Sequence, residues 1–257
     1  LGFLKNRINL VTDFYWRDNF DLMGDTYTQG AGGDMQKFAN VASMRSHDIE
    51  ATLTTTNIQN NNFRWTTDLT YSYCKTTITD LLSTSRVIDL VSSNGFALEG
   101  YPHRALFSIP FVGLNDEGLP MIINEKGEVT TTDINFQEFQ NTSFLKYEGP
   151  TEPTTTGGLN NMFRYKNWRL NVFVTYSFGN KLRLDPVFAA GYSDMSAMPK
   201  EFKNRWVMPG DEKYTDIPTI ASVRQYYNDN QLSFAYNAYN YSSARVADGG
   251  FIRLKNV

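Results

Sequence analysis

Few residues in this sequence have the types and spacing that catalysis or metal binding requires. The 257 residues include one cysteine, Cys74, and two histidines, His47 and His103. Zinc sites use three or four Cys, His or carboxylate ligands, and one thiol cannot form an internal disulfide. We therefore expect no disulfide, no metal and no cofactor, and we interpret His103 as a hydrogen-bonded loop residue.

Three carboxylates, Asp13, Glu50 and Asp68, could be taken for a glycosidase pair. Glycoside hydrolysis needs two such groups flanking the scissile bond. Each of these three instead alternates with polar residues along an extended run, which is typical of solvated strand positions. The sequence also has no nucleophile elbow or metalloprotease motif, so we expect no catalytic residue and no enzyme.

The most distinctive loop cluster combines a tryptophan, an arginine and an aspartate around Pro209-Gly210. Trp206 offers a face on which a sugar could stack, and Arg205 and Asp211 offer polar contacts. The same residues could simply form a turn and anchor a long loop without any ligand. We keep Arg205, Trp206 and Asp211 as candidate substrate-loop residues.

A second group of candidates is a set of tyrosines near the end of the chain. Tyr226 and Tyr227 are candidate substrate-loop residues, because a strip with Tyr236, Tyr239 and Tyr241 could stack on a ligand. An aromatic loop core would need no ligand and would have the same composition. Both interpretations stay open.

Composition indicates a β-rich chain outside the nucleic-acid-binding class. Aromatic residues make up 14% and the formal charge is -3, so there is no basic excess of the kind that duplex binding needs. No run approaches the roughly 18 consecutive apolar residues of a membrane helix.

Four runs alternate strictly between an apolar and a polar face: 7–17, 48–57, 63–74 and 169–179. Such alternation is compatible with both a soluble β-sandwich and a membrane barrel. Two features favour the barrel. The runs are about ten residues long, which is the length of a tilted strand crossing a bilayer, and aromatic residues sit at their ends like an interfacial girdle.

The connections alternate between short and long. Tight turns are expected at 57–62 and 165–168, whereas the gaps 18–47, 75–154 and 180–250 are long. A barrel with short periplasmic turns and long extracellular loops requires this asymmetry. We predict three outward strands, 7–17, 63–74 and 169–179, and three inward strands, 48–57, 155–166 and 251 onward. A closed barrel needs at least about eight strands, and the chain starts without Met and stops in a strand-like run, so we expect a piece of a longer protein.

In a barrel, one face of each strand would contact lipid and the other would contact water. The apolar side of the four runs carries no charged residue. The predicted lipid-facing residues are Ile49, Leu53, Trp65, Leu69, Val172 and Val174. The predicted lumen-facing residues are Asp13, Glu50, Arg64, Asp68 and Arg169.

Five segments, in order along the chain, resemble one family. They are MRSHDIEATLTTTNIQNNNFRWTTDLTYSY, GYPHRALFSIPFVGLNDEGLPMIINEKGEV, YEGPTEPTTTGGLNNMFRYKNWRLNVFVTYSFGNK, NRWVMPGDEKYTDIPTI and YNYSSARVADGGFIRLKNV. Together they resemble the C-terminal barrel portion of SusC/RagA-type TonB-linked outer-membrane transporters. The chain departs from the family pattern at Asp48, where Gly is more frequent, and at Asn115, where Asp is usual.

The resemblance implies an all-β fold, part of a large antiparallel transmembrane β-barrel of about 22 strands with a plugged lumen. All of 1–257 would belong to the barrel domain, and the plug and N-terminal extension would lie outside this chain. The implied function is TonB-dependent import of oligosaccharides or peptides across the outer membrane of a Bacteroidetes-type bacterium. The implied partners are a SusD-like surface lipoprotein, TonB and outer-membrane lipid. The alternatives are a soluble or surface-attached glycan-binding β domain and a passive porin.

Overall fold

A computed structural model describes residues 1–27, 36–186, 199–221, 225, 229 and 231–257. The strands are β1 (Gly2–Phe3), β2 (Ile8–Tyr27), β3 (Gln36–Gln59), β4 (Phe63–Leu81), β5 (Ala105–Ser108), β6 (Phe111–Leu114), β7 (Pro120–Ile123), β8 (Val129–Thr130), β9 (Lys146–Pro150), β10 (Thr155–Tyr165), β11 (Trp168–Phe178), β12 (Lys181–Arg183), β13 (Val246–Asp248) and β14 (Phe251–Asn256). The described helices are α1 (Val87–Leu90), α2 (Leu232–Asn240) and three 3-10 turns, Lys200–Asn204, Asp211–Lys213 and Ser243–Arg245. None of the helices in these ranges is long and apolar enough to cross a membrane.

One seven-stranded antiparallel sheet organises the chain, in the order β1-β2-β3-β4-β10-β11-β14. The six strands predicted from the sequence are all present, with β1 as a short addition at one edge. The two predicted tight turns are also present, between Gln59 and Phe63 and between Tyr165 and Trp168. Asn60 stabilises the first, because its side-chain oxygen accepts the backbone N–H of Phe63 at 2.7 Å.

The prediction that 18–47 is a loop was wrong for its described residues. β2 continues to Tyr27 and β3 starts at Gln36, so the hairpin extends beyond the alternating runs. Arg45 donates to Asp18 at 2.7 Å, and irregular register between Asn19 and Leu22 breaks the period of two there. The two strands therefore remain hydrogen-bonded beyond residue 18, although their residues no longer alternate between apolar and polar and so give no strand signal in the sequence.

The other two predicted long connections contain small structures of their own. The predicted connection 75–154 begins later than expected, because β4 continues to Leu81. Its remainder, 82–154, holds α1 and β5 to β9, and the described part of 180–250 holds β12, α2 and β13. They pack on each other through a common apolar cluster. Its buried members are Val87, Leu90, Val91, Ala105, Phe107, Ile109, Ile122, Ile134, Leu145 and Ala238.

The buried core therefore lies in the connections and not on the large sheet. Among the described apolar side chains of the seven-stranded sheet, only those of Val41 and Ile78 are buried. The apolar face of the sheet lacks a protein layer over it in the described part of the chain. This distribution is the opposite of a β-sandwich, in which the inner faces of two sheets form the core.

Candidate functional site

The apolar face of the sheet is continuous across six strands. The strand register aligns a row of aliphatic residues near mid-sheet, namely Leu10, Leu53, Leu69, Leu159, Val174 and Leu254. None of the six predicted lipid-facing residues belongs to the buried core, and Ile49 is 38% exposed. Towards the short turns, Trp65 stacks on Phe163 with ring centroids 5.5 Å apart.

Uncharged polar side chains on this apolar face pair with one another. The side-chain oxygen of Asn161 accepts from Trp65 Nε1 at 2.9 Å and from Thr67 Oγ1 at 2.7 Å. Thr67 Oγ1 in turn accepts from Asn57 Nδ2 at 2.7 Å. Polar groups in an apolar medium must find protein partners, and this network provides them.

The opposite face carries Asp13, Glu50 and Asp68. Asp13 lies directly opposite Glu50, and Glu50 Oε1 accepts the Tyr15 hydroxyl at 2.7 Å. Asp68 pairs in register with Asn160 of β10. Within the described ranges, no group of three or more His, Cys, Asp or Glu residues could hold a metal ion.

The loop candidates Trp206, Arg205 and Asp211 come together around the Pro-Gly turn. Asp211 Oδ2 accepts the backbone N–H groups of Val207 and Met208, each at 3.0 Å, and so closes the turn. Arg205 Nη1 donates to the carbonyl of Phe202 at 3.2 Å. Arg205 and Asp211 thus position the loop. Tyr226 and Tyr227 lie outside the described residues.

Trp206 joins this turn to a second loop. Its indole Nε1 donates to Glu212 Oε2 at 3.1 Å, and its ring lies against Gly118. Gly118 belongs to a turn in which the Asn115 side-chain oxygen accepts the N–H groups of Glu117 and Leu119. Sequence reasoning missed Glu212, although a carboxylate one residue after Asp211 was the available signal.

A cavity of about 630 Å³ opens beside Trp206. Carboxylates from two separate segments line it, Asp116 and Glu117 from one segment and Asp229 from another, together with Gln225. An aromatic ring beside hydrogen-bond acceptors suits a ligand rich in hydroxyl, amide or ammonium donors. Tyr236 lies nearby as part of the loop core, where its hydroxyl donates to the Thr219 carbonyl at 2.8 Å.

Replacing Gly118 by alanine is expected to displace Trp206 and loosen both loops. A Cβ at this position would overlap the Trp206 ring, in addition to the strain of φ +74°. Gly127 is a matched control, because it has φ +79°, follows Asn124 in an equivalent turn and has nothing within 4 Å of an added Cβ. In the full-length protein, hydrogen exchange should show faster opening of 204–220 for Gly118→Ala than for Gly127→Ala. Equal exchange in the two variants would mean that the ring contact contributes nothing.

The Glu212 carboxylate makes this loop sensitive to acid. Its own backbone N–H, the Trp206 indole and the Gly210 N–H at 2.8 Å hold the pKa of Glu212 below its usual 4.5. A lowered folded-state pKa contributes stability that is present above the unfolded value and lost as the pH falls below it. We expect exchange protection of the Gly210 amide to fall between pH 5 and about pH 3. Glu212→Gln should remove that dependence, and an unchanged pH profile in the variant would contradict the assignment.

Arg183 anchors the loop structures on each other from within. The side chain is buried and donates to four backbone carbonyls from three segments: Val91 at 3.0 Å, Asn240 at 3.3 Å, Ser242 at 3.1 Å and Phe107 at 2.7 Å. Burial lowers the pKa of this guanidinium to about 10. Arg183 thus joins β5, the residue after α1 and the end of α2, and it is not one of the residues that line the cavity beside Trp206.

Comparison with curated proteins identifies three TonB-dependent receptors of Formosa agariphila. Receptor P39 is 23% identical over 304 residues, receptor P3 is 23% identical over 283, and receptor P26 is 26% identical over 272. These matches cover 98–100% of this chain but only 25–28% of the relatives. The chain thus spans about a quarter of their length. No family model matches.

Comparison with solved structures shows similarity of fold to a transporter. The RagAB peptide transporter matches 99% of this chain with a TM-score of 0.71 at 20% identity, over 27% of that chain. The RagAB peptide importer in its closed-closed state matches with a TM-score of 0.70 at 21% identity. The sheet and these matches show that the fold is part of a large antiparallel β-barrel. Both comparisons agree with the resemblance of the sequence to SusC/RagA-type TonB-dependent transporters, and this chain is similar to about a quarter of such a protein.

Proposed function

We propose that this chain forms part of the wall and outer loops of an active importer, which moves oligosaccharides or peptides across the outer membrane. The observation that carries the proposal is the difference between the two faces of the sheet. One face has an uncovered aliphatic row across six strands, and the other face carries Asp13, Glu50 and Asp68. That arrangement suits lipid on one side and an aqueous bore on the other. Ile49, Leu53, Trp65, Leu69, Val172 and Val174 meet lipid in this proposal, and Asp13, Glu50, Arg64, Asp68 and Arg169 meet water.

The substrate contacts of the proposal lie in the loops. The cavity beside Trp206 has the size and the acceptor groups for part of an oligosaccharide or a peptide. The chain would act by binding and enclosing cargo, not as an enzyme. A SusD-like lipoprotein would cover the loops, and TonB would act through a plug segment outside this chain.

Energised uptake by the full-length protein tests the proposal. Cells that express it should accumulate one member of a labelled oligosaccharide and peptide panel, and this accumulation should stop when the proton gradient is dissipated or TonB is deleted. Uptake that persists without TonB would indicate a porin. Release of the protein from membranes by carbonate, without detergent, would instead indicate a surface-attached glycan-binding domain.

A further inference from the structure

Three arginines stand side by side on the polar face, beside the short turns. Arg164 of β10 lies directly opposite Arg64 of β4 on one side and directly opposite Arg169 of β11 on the other. All three side chains are exposed. Directly opposed residues of antiparallel strands have Cα atoms about 5 Å apart, and like charges so placed destabilise a sheet. We call this set the arginine row.

The row has no counter-charge in the described part of the chain. None of the ion pairs found there includes Arg64, Arg164 or Arg169. By contrast, another arginine on the same face does have a counter-charge, because Arg17 forms an ion pair with Asp48 at 3.0 Å. Asp68 lies four residues from Arg64 along β4, which corresponds to about 13 Å.

Two adjoining hollows lie over the row. One of about 230 Å³ is lined by all three arginines with Thr66 and Met162. The other, of about 200 Å³, is lined by Arg64, Arg164 and Lys166 with the amide side chains of 59–62. Neither lining includes an Asp or a Glu. Cationic and amide side chains surround these two hollows, and this lining favours an anion.

We propose that the arginine row binds carboxylate side chains of a polypeptide segment that lies in the bore and comes from outside this chain. The proposal rests on the proposed function in one respect, that the polar face lines a bore. The three arginines lie on three neighbouring strands, β4, β10 and β11, and so span about 10 Å across the sheet. Successive acidic side chains on one face of an extended segment repeat every 6 to 7 Å or so and can engage such a row. A single small anion would leave at least one arginine unpaired.

Zero-length carbodiimide cross-linking of the full-length protein in detergent tests this. Arg164→Lys keeps the charge and supplies an amine, which couples only to a carboxylate in ion-pair contact. The matched control is Arg253→Lys, on the same face but outside the row, where the guanidinium lies 4.9 Å from the Phe251 ring. We expect the amine at position 164 to couple to an Asp or Glu outside residues 1–257. The yield of cross-linked product at position 164 should be roughly tenfold above that at position 253, because only the amine at position 164 is expected to lie in an ion pair.

Other products would overturn the proposal. Coupling only to Asp68 or another carboxylate within 1–257 would show that the chain satisfies its own row. No coupling at position 164, together with protection of the native arginines from phenylglyoxal by inorganic phosphate, would assign the row to a small anion. Cross-linking in a protein that fails the uptake test would leave this inference standing and reject the import function alone.

Discussion

Replacing Leu69 by arginine is expected to destabilise the assembled barrel by about 2–4 kcal/mol, the cost of a cation on the lipid side near the bilayer midplane. Leu69 lies in the middle of the aliphatic row, with Leu53 and Leu159 directly beside it. A guanidinium there would have no counter-charge on the apolar face of the four central strands. Urea unfolding of the full-length protein in lipid vesicles, followed by heat-modified mobility on gels, measures the loss.

Thr70→Arg is the matched control for this substitution. Thr70 is the next residue on β4, points to the opposite face and is exposed. If that face is wet, arginine there should change the free energy of unfolding by less than about 1 kcal/mol. Equal losses for the two variants, or a greater loss for Thr70→Arg, would contradict the assignment of the faces.

Replacing Arg183 by methionine is expected to open the loop structures while leaving the sheet intact. The substitution leaves the buried carbonyls of Phe107 and Val91 without their donor. Each buried polar group left unsatisfied costs about 1–3 kcal/mol. Arg183→Lys should lose less, because an ammonium can still donate to some of these carbonyls but lacks the planar fork that reaches all of them.

Limited proteolysis of the full-length protein in membranes measures that effect. Arg183→Met should be cleaved within 82–154 much faster than the native protein, whereas the strand peptides stay protected. Lys181→Met is the control two residues away, where the ion pair with Asp248 is exposed and worth about 0–1 kcal/mol. Cleavage of Arg183→Met at the native rate would show that the guanidinium does not hold the loops together.

The sheet could be predicted from the sequence because its strands alternate strictly between an apolar and a polar face over about ten residues. Apolar residues occupy nearly every second position in the runs that contain Leu53, Leu69 and Val174, so the sequence pattern identifies the apolar face of each strand. The ends of the strands could not be predicted in the same way. Around Asp18 and Asn19 both faces carry polar residues, and hydrogen bonds between strands extend the hairpin without any hydrophobic signal.

The loop architecture was not accessible from sequence pattern, because its contacts join distant segments. Arg183 meets carbonyls of 91 and 107, and Trp206 packs on Gly118. The Pro-Gly turn itself was predicted as a unit, since Asp211 closes it locally. Arg64 and Arg169 were assigned to the polar face from alternation, but the row they form with Arg164 depends on the strand register, which only the structure gives.

The most direct test of the account is the solvent that each face of the sheet contacts. Nitroxide labels would be placed at position 53 or 174 on one face, and at position 52 or 175 on the other, in the full-length protein with Cys74→Ser, reconstituted in vesicles. We expect labels at 53 and 174 to relax with oxygen dissolved in the lipid, and labels at 52 and 175 to relax with a water-soluble nickel chelate. Labels at 53 and 174 that contact neither reagent, as in a packed protein core, would contradict it.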